Sequence, residues 1–243
     1  MTALRLLRML LPLVTAALLT ASCGSGSRSS ASYPDPQRWE IRGLDLSAHN
    51  GEVDFHAVRE AGYEFVILKA TEGSSFKDRR FIDNVRMARA AGLKVGAYHF
   101  FRFDAPGYMQ GLNFLHSVNA RDLDLPLAID IEEWANPNSQ QTPLVLDRLD
   151  EMLQHIEKHG YRVMLYTNKN GHARFISGRL ERYPLWICSL ADEPGHMRWT
   201  LWQATHNGRV AGVDHPVDIN AFAGSREEWA GFASGALVAT DAQ

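Results

Sequence analysis

The chain has 243 residues, 45% of them hydrophobic, which is enough for one sizeable core and matches the length at which α/β barrels fold as single domains. A formal net charge of -3 leaves no electrostatic footprint for nucleic acid. Six Trp, seven Tyr and eleven Phe suit a polymer or sugar binder, although core packing accounts for most aromatics in any domain.

The amino terminus stands apart from the fold. Arg5 and Arg8 flank the start of an apolar stretch, Met9 to Leu19, that is too short to span a bilayer and suits the core of a signal peptide. Leu19-Thr20-Ala21-Ser22-Cys23 resembles a bacterial lipoprotein processing site, with Thr20 where such sites usually carry Leu. Gly24 to Ser32 is a flexible, low-complexity linker. The expected organisation is a signal peptide over 1–22, a lipid-anchored Cys23 with a tether over 23–40, a barrel domain over 41–230 and a tail over 231–243. The protein is then exported to the cell envelope, and Gly24 after the cysteine favours the outer membrane in a Gram-negative host. An ordinary cleaved signal with an incidental cysteine is the alternative. With Cys23 lipidated, Cys188 has no partner and no disulfide is expected. Cys188 closes the run Leu185-Trp186-Ile187-Cys188 and reads as a small buried hydrophobe.

From Ile41 onward, short apolar runs alternate with helical patterns. Ile41–Leu46 is the first strand, followed by a helix from Phe55 to Ala61 that Gly62 stops. Phe65–Ala70 is the second strand, ending in Thr71-Glu72-Gly73. Asp78 to Ala91 is an amphipathic helix with Phe81, Ile82, Val85 and Ala88 on one face. Lys94–Phe101 is the third strand, and a helix from about Pro106 to Val118 leads to the fourth. The second half opens with a helix from Pro143 to His159, in which Leu146, Leu149, Leu153 and Ile156 recur at helical spacing before Gly160. Val163–Tyr166 is a strand, Gly171 to Leu180 is helical or irregular, and Leu185–Cys188, Thr200–Gln203 and Val217–Ile219 are three more strands. Little helix fits between these last three, and Asn207-Gly208 reads as a turn. Strands alternating with helices predict βαβ units and a mainly parallel sheet. No Gly-x-Gly-x-x-Gly turn follows the first strand, which argues against a dinucleotide fold. The best geometric solution is a single irregular (β/α) TIM-like barrel of about eight strands with helices reduced near the C-terminus.

The fourth strand is the informative one. Pro126-Leu-Ala-Ile-Asp130-Ile-Glu132-Glu133-Trp134 begins as a run buried on both faces and ends in acid. On a strand, Asp130 and Glu132 point to one side, with Cβ atoms roughly 6–7 Å apart. Ile131 and Glu133 point to the other. Burying two carboxylates is costly unless they are partnered or used. They are either partnered acids capping the next helix or catalytic groups at a barrel mouth. Chemistry in such barrels sits at the C-terminal ends of strands. Those ends offer Asp45, Thr71 or Glu72, Tyr98 and His99, Asp130 and Glu132, Tyr166, Trp186, Gln203 and Asp218. Strands one and eight adjoin in a closed barrel, so Asp45 and Asp218 should sit side by side, with the fourth strand across the mouth. Opposed carboxylates, aromatic platforms and amides meet the needs of glycoside hydrolysis.

Seven motifs in order carry a resemblance to a known family: Gly43-Leu44-Asp45-Leu46-Ser47, Lys69-Ala70-Thr71-Glu72-Gly73, Gly96-Ala97-Tyr98-His99-Phe100, Ala128-Ile129-Asp130-Ile131-Glu132, Leu185-Trp186-Ile187, Leu201-Trp202-Gln203 and Val217-Asp218-Ile219-Asn220. The chain resembles the glycoside hydrolase family 25 muramidases, lysozymes of the Chalaropsis type, from about Arg42 to Phe222. The resemblance implies an irregular β/α barrel that hydrolyses the β-1,4 bond between N-acetylmuramic acid and N-acetylglucosamine in peptidoglycan. No cofactor and no metal are expected, and the expected partners of a monomer are peptidoglycan glycan strands and, through the lipid anchor only, the membrane, with no nucleic acid. Carried over residue by residue, Glu132 matches the catalytic acid and Asp130 its helper. Asp45 and Asp218 match acids lining the same groove. Tyr98, Tyr166, Trp186 and Gln203 fall at subsite positions, and Glu72 and His99 are grouped with them as substrate-binding candidates. The chain departs from the family at Ala204, where many members have Tyr, and at Ser189-Leu190, where many have an aromatic.

A general acid must hold its proton near neutrality, so poor solvation and the Asp130 charge should raise Glu132. Because Asp130 and Glu132 share one wall, Asp130 is badly placed as an opposite-face nucleophile. The substrate's own 2-acetamido group is the expected nucleophile, with Asp130 orienting it. Water attack assisted by Asp218 or Asp45 is the alternative. Each residue also has a plainer reading. His49 and His99 hydrogen-bond within the mouth, Lys69 neutralises a strand-end acid, Glu72 starts a helix, and Trp186 is core. Trp134 and Trp202 read as packing rather than platform, Asp122 and Asp124 as solvated loop charges, and Glu133 as facing away. Two rival functions are a metal-dependent hydrolase using Asp45, His49, Asp130 and Asp218, and a non-catalytic peptidoglycan-binding lipoprotein. The first lacks a His-x-His or His-Glu-x-x-His spacing, and the second does not need the full acid set.

Overall fold

The apolar runs become the staves of a closed barrel. The computed structural model describes residues 35–137 and 139–238. The expected signal peptide, Cys23 and most of the tether lie outside the described residues. The strands are β1 (Arg42–Leu46), β2 (Phe65–Glu72), β3 (Phe76–Lys77), β4 (Lys94–Phe100), β5 (Leu127–Asp130), β6 (Val163–Asn168), β7 (Leu185–Cys188), β8 (Leu201–Gly208) and β9 (Val217–Phe222). Around the barrel the order is β1, β2, β4, β5, β6, β7, β8, β9 and back to β1, with β3 a short antiparallel appendage of β2. All neighbours are parallel except β9, which runs antiparallel to both β8 and β1. The mainly parallel expectation therefore holds for seven staves, and the eighth is reversed.

Helices α1 (Phe55–Glu60), α2 (Phe81–Ala90), α3 (Gly107–Leu115) and α4 (Thr142–Lys158) cover the outside of the first five staves. Local chemistry sets their ends. The Asp54 carboxylate accepts from the amides of His56 and Ala57 and starts α1. Pro143 sits in the first turn of α4, where its missing N–H costs nothing. Leu146, Leu149, Leu153 and Ile156 of α4 are buried against the strands, as their spacing requires. The first turn of the α2 segment differs from expectation. The helix begins at Phe81, because the Asp78 carboxylate accepts from the amides of Ala48 and Arg80 and ties the preceding turn to the loop after β1. Ile82 is 69% exposed, since the face set by Phe81, Val85 and Ala88 leaves its neighbour rotated toward solvent. Helices α3 and α4 pack so closely that a Cβ on Gly107 would lie 1.6 Å from the Arg148 carbonyl oxygen, so only glycine fits there.

After β6 the helical layer thins. A short α5 (Lys169–Gly171) passes into a single wide π turn, His172–Ile176. No helix lies between β7, β8 and β9. The outer faces of those strands, with Leu185, Ile187, Trp202, Ala204 and Ala221, are covered instead by Trp39, Met197 and Trp199. Trp39 meets Trp199 edge to face at 5.1 Å. Residues 35–40, expected as tether, thus supply part of this cover. Strand β8 runs straight through Asn207-Gly208, the expected turn, and the reversal lies between 209 and 216. The extended β8–β9 pairing, with two register shifts, recruits those residues into the ladder.

Alternate residues point inward and fill the lower barrel with Phe65, Ile67, Ala128, Met164, Leu201 and Phe222. A terminal helix, α6 (Arg226–Phe232), plugs this end, with Trp229 at 5.0 Å from Phe65 and 5.1 Å from Phe222. Beyond α6 the chain folds back on the barrel: Arg162 N–H donates to the Ala236 oxygen and Val238 N–H to the Gly160 oxygen. The stretch 231–238, read as tail from the sequence, is thereby tied to the segment that leads into β6. One end of the barrel is sealed by aromatics, and the other is open and polar.

Candidate active site

The open end is a cavity of about 880 Å³ lined by Asp45, Tyr98, Asp130, Glu132, Tyr166, Trp186, Gln203 and Asp218, eight of the residues expected from sequence. β5 ends at Asp130, but Ile131 N–H still donates to the Tyr166 oxygen, which keeps the alternation for two more residues. Asp130 and Glu132 both line the cavity, while Ile131 is buried in the outer layer. Glu133 turns away and pairs with Arg174 at 2.5 Å.

Asp45 and Asp218 are direct register partners across β1 and β9. Asp218 is not at the end of its strand, as expected, but is the second residue of β9. Antiparallel β9 starts at the mouth, so its beginning does what the ends of the parallel staves do. Asp45 Oδ2 accepts from Asn220 Nδ2 at 2.7 Å and from Gln203 Nε2 at 2.9 Å. Gln203 Nε2 also reaches Asp218 Oδ2 at 3.2 Å, and its Oε1 accepts from the Tyr166 hydroxyl at 2.8 Å. Trp186 Nε1 donates to Asn220 Oδ1 at 2.7 Å, so Trp186 is buried yet tied to the acid network. Burial raises the Asp45 carboxyl, opposed by the Asn220 and Gln203 bonds. Burial, then the Asp45 charge, pushes Asp218 up to about 9. The pair therefore resists double ionisation, and Asp218 is the carboxyl that keeps its proton to about 9.

On the opposite wall, burial and then the Asp45 charge raise Glu132 to about 7, and a hydrogen bond with Asn168 restrains the rise. Burial and the Glu132 charge raise Asp130 well above the ordinary range, with the Lys69 cation opposing. Asp130 Oδ1 is buried and has no hydrogen-bond partner. Lys69 lines the cavity, pairs with Glu72 at 2.8 Å and lies 5.3 Å from the Phe100 ring centroid. This is the neutralising role expected of it.

Two expected substrate contacts are not in the lining. His99 is fully buried and points out of the barrel, because it alternates with the inward Tyr98. Its Nδ1 lies 2.7 Å from Thr71 Oγ1, its Nε2 lies 3.1 Å from Gln110 Oε1, and its ring packs on Phe114. Burial holds His99 at about 4, a neutral structural imidazole. A bulge at Ala70 turns Thr71 outward to meet it. Glu72 is not in the cavity wall; it is held by Lys69 and, at 3.8 Å, by Arg102. It does not start a helix, since it ends β2.

The structure tests the plainer readings of the remaining residues and adds His206, which sequence reasoning passed over. Trp134 is 73% exposed and lines the rim, edge to face with Phe100 at 6.1 Å. It is exposed at the rim rather than packed in the core, and its place two residues after Glu132 was the available signal. Trp202 is buried in the outer layer, as expected. Cys188 is half-buried and faces the cavity instead of the core, and burial pushes its thiol up to about 12. It is inert as a nucleophile at neutral pH. His49 lines the cavity, as does His206, which bonds Gln203 at 3.0 Å. Asp124 is not a solvated charge, for its carboxylate accepts from Val95 N–H and Lys94. Among the described residues, no three His, Cys, Asp or Glu side chains converge in a metal-holding arrangement.

Comparison with known proteins places this geometry. The model of the glycosyl hydrolases family 25 matches residues 44–213. Lysozyme M1 of Streptomyces globisporus is 32% identical over 203 residues, covering 76% of this chain and 68% of that protein. The Escherichia coli protein YegX is 31% identical over 210 residues, covering 82% and 76%. The structure of a family 25 glycosyl hydrolase from Bacillus anthracis superposes with a TM-score of 0.77 at 32% identity, covering 83% of this chain and 97% of that one. A bacterial lysozyme from Streptomyces coelicolor gives 0.71 at 29% identity, covering 80% and 97%. With its barrel and most of its length matched, the chain belongs to glycosyl hydrolase family 25.

Proposed function

We propose that the chain is an N-acetylmuramidase that cleaves the β-1,4 bond after N-acetylmuramic acid in peptidoglycan, with Glu132 as general acid and base and Asp130 as the group that orients the 2-acetamido nucleophile. One observation carries the assignment of roles. Asp130 and Glu132 share a wall of a cavity large enough for a sugar, and Asp130 carries a buried oxygen with no partner. An unsatisfied buried acceptor is costly, and an amide N–H from the substrate is the donor that would relieve it.

The chemistry follows from the shared proton. Two raised carboxyls side by side do not ionise together near neutrality. The nearby Lys69 and a bound acetamido N–H both favour the anion on Asp130, which leaves the proton on Glu132. Glu132 gives that proton to the glycosidic oxygen as the bond from C1 breaks. The acetamido oxygen takes C1 from the opposite face, and Asp130 holds the N–H of the resulting ring. Glu132, now a carboxylate, takes a proton from water as the water attacks C1 and reopens the ring. Two inversions give retention. Across the mouth, Asp45 with Asp218, Gln203, Asn220 and Tyr166 forms a fixed polar wall against which the sugar seats.

The envelope assignment belongs to the same proposal. It rests on the signal-like Met9 to Leu19 stretch and on Cys23, which would carry the lipid, with the protein acting as a monomer on glycan strands. Among the described residues, no helix is long and apolar enough to cross a membrane. Cys23→Ser should move the protein from the membrane fraction to the soluble fraction.

Mass spectrometry of purified peptidoglycan digested with the chain lacking residues 1–32, beside its Glu132→Gln variant, tests the activity. Fragments with reducing muramic acid ends, lost in the variant, support the assignment. Reducing glucosamine ends would move the scissile bond. Glycan retained by a folded protein without cleavage would favour a binding module. Inverted product by NMR at the first time point would rule out the acetamido route in favour of direct water attack.

A further inference from the structure

The acid sits on a loop, and the structure shows what holds that loop. Residues 131–137 follow β5, and Glu132 lies beyond the last paired residue of the strand. Among the described residues, Ala135 is the one non-glycine with positive φ, at 56°, a strained conformation that surrounding bonds must enforce. Those bonds come from both sides. Arg102 Nη1 donates to the Ala135 oxygen at 2.5 Å. Asn136 does more. Its side chain is 8% exposed, and its amide is spent entirely on backbone. Nδ2 donates to the Glu132 oxygen at 2.9 Å and to the Phe101 oxygen at 3.0 Å, and Oδ1 accepts from Phe103 N–H at 2.8 Å. Its own N–H closes the turn onto the Glu133 oxygen at 3.1 Å. One side chain therefore staples the loop after β5 to the loop after β4, and one of its bonds lands on the backbone of the acid itself.

We infer that Asn136 is a positioning residue for the reaction, fixing the backbone of Glu132 so that its carboxyl stays in the cavity wall beside Asp130. The inference rests on Glu132 being the acid. No other residue type supplies two donors and one acceptor in the plane and reach that these three backbone groups require. Glutamine adds a methylene and cannot meet all three, and aspartate loses both donors. Asn136 is not in the cavity lining, so it acts on the chemistry only through the backbone it holds, that of Glu132 foremost.

The test is steady-state kinetics of Asn136→Ala in the full chain on soluble glycan chains, with pH profiles and with Glu132→Gln alongside. Released from its staple, Glu132 moves toward water. The expected result is a fall in kcat of about 10²-fold with KM little changed, the size of loss that an ångström of misplacement brings. The alkaline limb should also move down from about 7 toward the ordinary carboxyl value of 4.5. The other titratable groups of the cavity, Asp45, His49, Lys69, Tyr98, Asp130, Tyr166, Lys169, Cys188, Asp192, His206 and Asp218, make no bond to Asn136, so a limb that shifts in Asn136→Ala reports Glu132. A purely structural role would lower Tm while kcat per folded molecule and the limb stay native, and that result overturns the inference. Should the alanine variant not accumulate folded, Asn136→Ser, whose hydroxyl can replace one donor, carries the same test with the same two outcomes. An active Glu132→Gln would instead remove the reading beneath it, whatever the Asn136 variants do.

Discussion

Replacing Asp218 by asparagine should stabilise this protein, and increasingly so as pH rises. In the native barrel, burial and the Asp45 charge hold the Asp218 carboxyl neutral to about 9, whereas in the unfolded chain it ionises near 4. Such a raised group gives its full contribution to stability below pH 4. The contribution is lost as pH climbs toward 9, because folding must take up a proton that grows scarcer. At pH 7 the linkage ceiling is about 4 kcal/mol, from some three pH units at about 1.4 kcal/mol each. Water in the open mouth screens the charge and reduces the realistic gain to about 1–2 kcal/mol. Asp218→Asn needs no proton. Its amide N–H can donate to Asp45 as the carboxyl proton does, and its oxygen can still accept from Gln203 Nε2. For a domain of this size the variant should melt about 2–8 °C above the parent at pH 8. The advantage should vanish below pH 4. Calorimetry or circular dichroism across pH 3.5–8.5 reads this directly. A gain that is the same at both ends, or a loss at pH 8, would show that native Asp218 is ionised and that the shared-proton account of the Asp45 pair is wrong.

Three further outcomes follow from the geometry. The acid must be protonated to act, so kcat/KM should fall as pH rises through about 7, and Glu132→Gln should cost about 10²–10⁴-fold while leaving the fold intact. Trp134→Ala should weaken substrate binding by about 1–2 kcal/mol, seen as a higher KM with kcat retained, because an exposed ring on the rim stacks a sugar without touching the scissile bond. An unchanged KM would return Trp134 to packing. His99→Ala should lower stability by about 2–4 kcal/mol through a cavity and the orphaned Thr71 and Gln110 groups, with kcat/KM of the folded enzyme kept. A selective loss of activity at native Tm would reinstate His99 as a substrate contact.

The sequence by itself determined the closed barrel, the thinning of its helices and the wall on which the acids stand. Runs such as Leu127–Ile129 are apolar on both faces, and only a covered parallel strand accommodates that. The two-residue period then sends Asp130 and Glu132 the same way without knowledge of any neighbour. Motif order supplied the remaining site positions, and eight of them meet in one cavity.

What the tertiary structure decided depends on pairing partners, which no local pattern encodes. His99 has the composition of a site residue, yet strand alternation after Tyr98 turns it toward α3, where Thr71 and Gln110 receive it. Thr71 reaches it only because β2 carries a bulge against β4. Asp218 reaches the mouth from the start of a strand because β9 is reversed, and direction is fixed by the two neighbours it bonds. Trp134 and Asn136 lie two residues apart in one loop, one exposed on the rim and one buried behind the acid. A loop has no period, so its side chains take their directions from whatever backbone groups the adjoining loop leaves unsatisfied.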